Sequence, residues 1–239
     1  MSVATQRQVY FVTGTDTDIG KTHVSALLLA RAAAQGHRCF AIKPISAGCE
    51  QNAQGDWESA DANRLKQHAS VALMDELVAP VKLPVAASPH IAAQLAGERL
   101  QAARVAGHVR AGLSTRASHI LVEGAGGWRV PINLQESMSD VARQLRLPVI
   151  LVVGIRLGCL NHALLTAELI QRDGLPLAGW VANCIDPHDA YVDAEIETLR
   201  KKISAPCLGV VPFAPEQPLD TLVEHIRWPA ELQQTVDAP

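Results

Sequence analysis

Val9-Tyr10-Phe11-Val12-Thr13-Gly14-Thr15-Asp16-Thr17-Asp18-Ile19-Gly20-Lys21-Thr22 is the stretch that decides the fold. An apolar, β-branched and aromatic run ends at Gly14. A short polar loop follows, and Gly-Lys-Thr then opens the apolar-periodic run 23–35. Strand, loop and helix in that order form the setting of a phosphate-binding loop. Loop N–H groups and the open helix N-terminus converge on one point and favour an anion there. Gly20 lets the backbone come close to such a ligand. Lys21 brings a flexible positive charge, and Thr22 a hydroxyl suited to Mg²⁺. A Gly-Lys-Thr by itself occurs at ordinary helix starts; the flanking strand and helix give it meaning. Five residues separate Gly14 from Gly20, one more than the usual four, which narrows the family.

Outward from this stretch, strand-like apolar runs recur at 39–43, 119–123, 149–153, 178–183 and 207–211. Most are continuous rather than alternating, as in strands buried on both faces. Helical patterns at 23–35, 100–113, 139–145, 161–172 and 190–203 lie between them. Such alternation predicts one α/β domain with a mostly parallel sheet and helices on both faces. Right-handed crossovers put the strand C-termini, and the ligand, along one edge. The segment 44–63, rich in Gly, Ser, Asn and Gln, is expected to be an irregular loop on that edge. The polar tail after residue 228 is expected to be loosely ordered.

Composition removes several function classes. The 239 residues suit one large domain, 1–239, with a sizeable core. Net charge is −3 and only 4% of residues are aromatic, so neither a basic footprint nor a base-stacking surface for nucleic acid is expected. No apolar run is long enough to span a bilayer, and no apolar signal core precedes the first strand. Five cysteines without a Cys-x-x-Cys pair point to reduced thiols and a cytoplasmic protein.

Several polar residues stand where chemistry is expected. Lys43 ends the second strand run, just before Pro44. A strand-end lysine is commonly only solvated. The second strand is expected to neighbour the first, however, which brings Lys43 to the same phosphates as Lys21. Two lysines converge on one point only where negative charge sits. Asp61 opens the helix-like segment 59–62, as a dipole-favoured acid or as a ligand. Glu123 closes a buried strand and precedes Gly124-Ala125-Gly126-Gly127, like the metal-side acid of nucleotide hydrolases. Arg129 occupies the third glycine position of a dinucleotide fingerprint, which argues against a Rossmann dehydrogenase. Asn161, after Gly158-Cys159-Leu160, either caps a helix or marks free N–H groups for a carboxylate. Asn183 ends another buried strand and suits either an adenine edge or a turn. His90 and His162 receive no role.

Together the extended loop 12–22, Lys43-Pro44, Ser88-Pro89-His90, Val122-Glu123-Gly124-Ala125-Gly126-Gly127-Trp128, Leu157-Gly158-Cys159-Leu160-Asn161-His162-Ala163 and Gly179-Trp180-Val181-Ala182-Asn183 closely resemble the dethiobiotin synthetase family, from Tyr10 to about Phe213. The resemblance implies a single-domain P-loop NTPase-type fold with a mainly parallel, seven-stranded sheet, working as a homodimer. It implies 7,8-diaminononanoate, CO2 and ATP as substrates, with Mg²⁺. By family position, Lys21, Lys43 and Thr17 are catalytic. Asp16, Thr17, Asp18, Ile19, Gly20, Lys21, Thr22, Asn183, Val211, Pro212 and Phe213 bind ATP, while Thr22, Asp61 and Glu123 gather Mg²⁺. Thr17, Lys43, Ala47, Gly126 and Gly127 face the diamine and its carbamate. Cys159, Leu160 and Asn161 of the partner subunit take the substrate carboxylate. Two departures stand out. Ala47 replaces a serine of many relatives, with Ser46 expected to face the other way, and Glu195 occupies a place where some relatives have tyrosine. Two other readings remain open at this point: a nucleotide-switch ATPase, although Asp16 stands where those proteins carry a second lysine, and an interaction module without catalysis.

Overall fold

The computed structural model describes residues 7–236. In chain order the elements are β1 (Gln8–Gly14), α1 (Lys21–Ala34), β2 (Cys39–Ile42), β3 (Ile45–Ala47), β4 (Glu50–Gln51), β5 (Trp57–Glu58) and α2 (Ala60–Gln67). There follow α3 (Asp75–Val78), β6 (Val81–Leu83), α4 (Pro89–Leu95), α5 (Ala102–Leu113), β7 (His119–Gly127) and α6 (Met138–Leu145). The last part holds β8 (Val149–Ile155), α7 (Cys159–Arg172), β9 (Leu177–Cys184), α8 (Val192–Lys202), β10 (Cys207–Val211), a 3₁₀ helix (Leu219–His225) and α9 (Pro229–Val236).

The central sheet is parallel, in the order β10-β9-β8-β1-β7-β2. Each of the six apolar runs is one of these strands, and most are continuous because both faces are covered. Alternate residues of β1 show how. Phe11 joins a core with Val105, Val141, Ala163 and Leu199, from α5, α6, α7 and α8. Tyr10 and Val12 join the opposite core with Leu27 and Leu28 of α1, Leu222 and Trp228. Trp228 is fully buried, and its indole N–H donates to the Leu28 carbonyl at 2.9 Å.

Four expectations need correction. The sheet has six strands, not seven. Pro44 interrupts the chain after β2, since proline cannot donate to a ladder. The chain resumes as β3, which pairs with β6 in a separate parallel ribbon. Secondly, β2 does not neighbour β1, because β7 lies between them. The P-loop strand thus sits at the sheet's centre and β2 at its edge. Thirdly, the segment after Pro44 is not wholly irregular. It holds β3, the antiparallel pair β4-β5, and the start of α2, where Ser59 caps by accepting the Ala62 N–H at 3.2 Å. The tail also carries a helix, α9, through residue 236. Glu231 there accepts from Arg31 Nη2 at 2.9 Å, which docks α9 on α1, whereas composition alone suggested loose order.

Candidate active site

β1 ends at the centre of the sheet, and the loop beyond it leads into α1 at Gly20. Gly20 sits at φ 84°, and a Cβ there would lie 2.2 Å from Asn183 Nδ2, so glycine is required on both counts. Asn183, at the end of β9, donates from Nδ2 to the Ile19 carbonyl at 2.8 Å and so braces the loop. Ile19 itself is buried in the core below. Lys21 curls back, its Nζ donating to the Asp16 carbonyl at 2.7 Å. Asp16 ties the loop down further, accepting the Thr17 N–H at 2.8 Å and pairing with Arg156 at 2.9 Å.

The charged centre lies beside this loop. Lys43 Nζ is 2.7 Å from Glu123 Oε1 and 2.8 Å from Asp61 Oδ2. The Thr22 hydroxyl donates to the same Glu123 Oε1 at 2.6 Å. Lys43 reaches this point although β2 is not beside β1, because Glu123 projects from β7, the strand between them. Burial pulls the Lys43 ammonium down, but Glu123 and Asp61 outweigh it and hold its pKa above the ordinary lysine value. Burial would raise Asp61, yet Lys43 overcomes this and keeps the carboxylate below its usual range. Lys21 differs. Burial first, and the neighbouring Lys43 second, bring it down to about 8.

A cleft of about 730 Å³ opens over these groups. Thr17, Asp18, Gly20, Lys21, Thr22, Lys43, Ala47, Asp61 and Gly126 line it. Glu123 meets it through Lys43 and Thr22. Gly127 pairs with Gly14 across β7 and β1, so the glycine run lies directly against the P-loop strand. The Ser46 hydroxyl is buried away from the cleft while Ala47 faces it, as alternation along β3 requires. Asn183, Val211, Pro212 and Phe213 lie off the cleft. They share the C-terminal ends of the adjoining strands β9 and β10, where Val211 pairs with Asn183. Val211 is buried and Phe213 exposed. Cys159, Leu160 and Asn161 open α7 behind Gly158 at φ 93° and do not line the cleft of their own chain. Cys159 is buried, its thiol 3.4 Å from the Glu195 carboxylate, and burial foremost pushes that thiol up to about 11.

Sequence reasoning missed Arg64 and His23, which also line the cleft. The spacing of Arg64 from Asp61, three residues along one helix, was the available signal. For a cation the fit is concrete. Glu123 Oε2 is buried without a hydrogen-bond partner, and the Thr22 hydroxyl and Asp61 stand beside it. No group of three or more His, Cys, Asp or Glu placed to hold a metal ion occurs among the described residues. Mg²⁺ needs none, because it takes one or two carboxylates and keeps waters or phosphate oxygens for the rest.

Solved structures share this fold at low identity. MinD cell division protein of Aquifex aeolicus matches at TM-score 0.56 and 12% identity, over 97% of this chain and 98% of that one. Chloroplast FtsY of Physcomitrella patens matches at TM-score 0.53 and 16% identity, over 98% and 66%. These establish the fold alone. A family model described as an AAA domain matches residues 8–217. The ATP-dependent dethiobiotin synthetase of Pseudomonas paraeruginosa is 53% identical over 85% of this chain and 89% of its own length. That of Cellvibrio japonicus is 47% identical over 92% and 96%, and that of Vibrio parahaemolyticus 43% over 91% and 94%. Identity of this extent, over most of both chains, places the chain in the ATP-dependent dethiobiotin synthetase family.

Proposed function

We propose that the chain is a ligase of biotin biosynthesis that closes 7,8-diaminononanoate and CO2 into dethiobiotin, with ATP converted to ADP and phosphate. One amine takes up CO2 to give a carbamate. The carbamate oxygen attacks the γ-phosphate, and the second amine then attacks the mixed carbamic–phosphoric anhydride and expels phosphate. The observation that carries this reading is Lys43, a buried ammonium fixed by Asp61 and Glu123 in the cleft beside the P-loop. Carbamate and triphosphate repel one another, so a rigid cation between them stabilises the developing charge. In this reading Lys43 bridges carbamate and γ-phosphate, Lys21 holds the phosphates, and Thr17 lies beside the diamine. Thr22, Asp61 and Glu123 would hold Mg²⁺, which would neutralise the outer phosphates. Asn183 and residues 211–213 form the adenine end. Little covalent chemistry falls to the protein, and positioning dominates.

Gly126, Gly127 and Ala47 would give the diamine a wall without side-chain bulk. The carboxylate end of that substrate is assigned to Cys159-Leu160-Asn161 of a second subunit, at a helix N-terminus whose dipole suits an anion, although the Cys159 N–H itself donates to the Arg156 carbonyl. A working homodimer, in the cytoplasm and without a nucleic-acid or membrane partner, follows from this reading. No helix among the described residues is long and apolar enough to cross a membrane. Mass spectrometry of a reaction containing diamine, bicarbonate and MgATP tests the function. Dethiobiotin is expected, with phosphate released only when both other substrates are present. Phosphate release without the diamine, and no dethiobiotin, refutes the reading.

A further inference from the structure

Arg64 has no place in the reaction described above, yet it lines the same cleft. It shares a face of α2 with Asp61, three residues before it. Asp61 turns to Lys43, whereas Arg64 reaches across to α1, with Nη2 2.8 Å from His23 Nδ1. A guanidinium can only donate, so Nδ1 is the acceptor and the imidazole is neutral. His23 directly follows Thr22 in the first turn of α1, so this contact fixes a guanidinium at the edge of the phosphate-binding loop. The bond engages one of five N–H groups and leaves the planar fork for another acceptor.

Charge balance says which acceptor. Around the loop, Lys21 and Lys43 stand against the carboxylates of Asp18, Asp61 and Glu123. Two cations against three anions leave the protein's own groups net negative before any Mg²⁺ arrives, which opposes a polyphosphate. Arg64 evens the count. We propose that Arg64 is a phosphate-binding residue of the nucleotide site, aimed by His23, donating to non-bridging oxygens of the nucleotide's polyphosphate. This rests on reading the cleft as an ATP site. A charge-assisted bond of this kind is stronger than a neutral one and suits a bidentate fork.

The test is calorimetric titration of MgADP into wild type, Arg64→Ala and His23→Ala, with the KM for diamine and the melting temperature measured alongside. Arg64→Ala is expected to weaken MgADP about tenfold or more, the effect of losing one charged hydrogen bond. His23→Ala is expected to weaken it about threefold, because the guanidinium remains but is no longer aimed. The diamine KM and the melting temperature stay within error of wild type. The proposal is overturned by an Arg64→Ala protein that binds MgADP as wild type does. It is equally overturned if both ligands weaken together with a lowered melting temperature, which marks a structural role. A wild-type protein that binds MgADP but makes no dethiobiotin refutes the proposed function and leaves the Arg64 assignment to stand on the titration.

Discussion

Lys43→Ala separates the structural work of the buried lysine from its chemical work. In the folded protein Lys43 is 4% exposed and Glu123 fully buried, 2.7 Å apart. Removing the lysine leaves Glu123 with the Thr22 hydroxyl at 2.6 Å as its remaining hydrogen-bond donor. Asp61 is half exposed and water takes over its share. Breaking a buried pair from one side costs about 3–5 kcal/mol. For a chain of this size that lowers the melting point by roughly 6–20 °C. Restoring neutrality with Lys43→Ala/Glu123→Gln should recover part of this loss, with a coupling of about 1–3 kcal/mol between the two sites. Dethiobiotin formation should not recover, because the charge facing carbamate and phosphate is gone. Removing one such preorganised donor typically costs about 10²–10³ in kcat. The assays are urea melts of the single and double variants and product formation at saturating substrates. A single variant as stable as wild type refutes the ion-pair reasoning, and turnover left intact refutes the role in catalysis.

Gly20→Ala forces a Cβ into Asn183 Nδ2 at a positive φ, and should abolish nucleotide binding while lowering stability by about 1–3 kcal/mol; wild-type nucleotide affinity in this variant disproves the close packing. With Lys21 at about 8, the folded protein loses that proton earlier than the unfolded chain does. Nucleotide affinity is therefore expected to fall as pH rises through 8, while Lys21 contributes a rise in stability from about 8 towards the unfolded value. Titrations of MgADP at pH 7 and pH 9 check the first half, and equal affinities contradict it. Trp228→Ala removes a fully buried side chain and its bond to the Leu28 carbonyl, at a cost of about 3–5 kcal/mol. A urea midpoint unchanged from wild type shows that the segment from 228 onward does not seal the core.

The phosphate-binding loop, all six strands of the central sheet and the five main helical patterns were legible in the sequence, because each rests on local spacing. Lys21 and Thr22 follow from the loop itself, and Glu123 from its place at the end of a buried run. Local signals also explain the errors. Apolar periodicity identifies a strand but not its neighbours, so the insertion of β7 between β1 and β2 was invisible. The short pieces β3, β4, β5 and β6 span two or three residues each, too few for any period to show. In the tail, α9 is only eight residues long and is held in part by Arg31 and Glu231, 200 positions apart.

The sequence by itself determined the strand, loop and helix that meet at Gly20, since the apolar run, a glycine and a lysine are fixed there within a few residues. The tertiary structure alone decided that Lys43 shares one carboxylate oxygen with Thr22, and that Arg64 stands over the same cleft beside His23. These contacts join residues 41 to 101 positions apart. Their geometry is set by which strands pair and which helix faces meet, and those are choices of packing that no local pattern encodes.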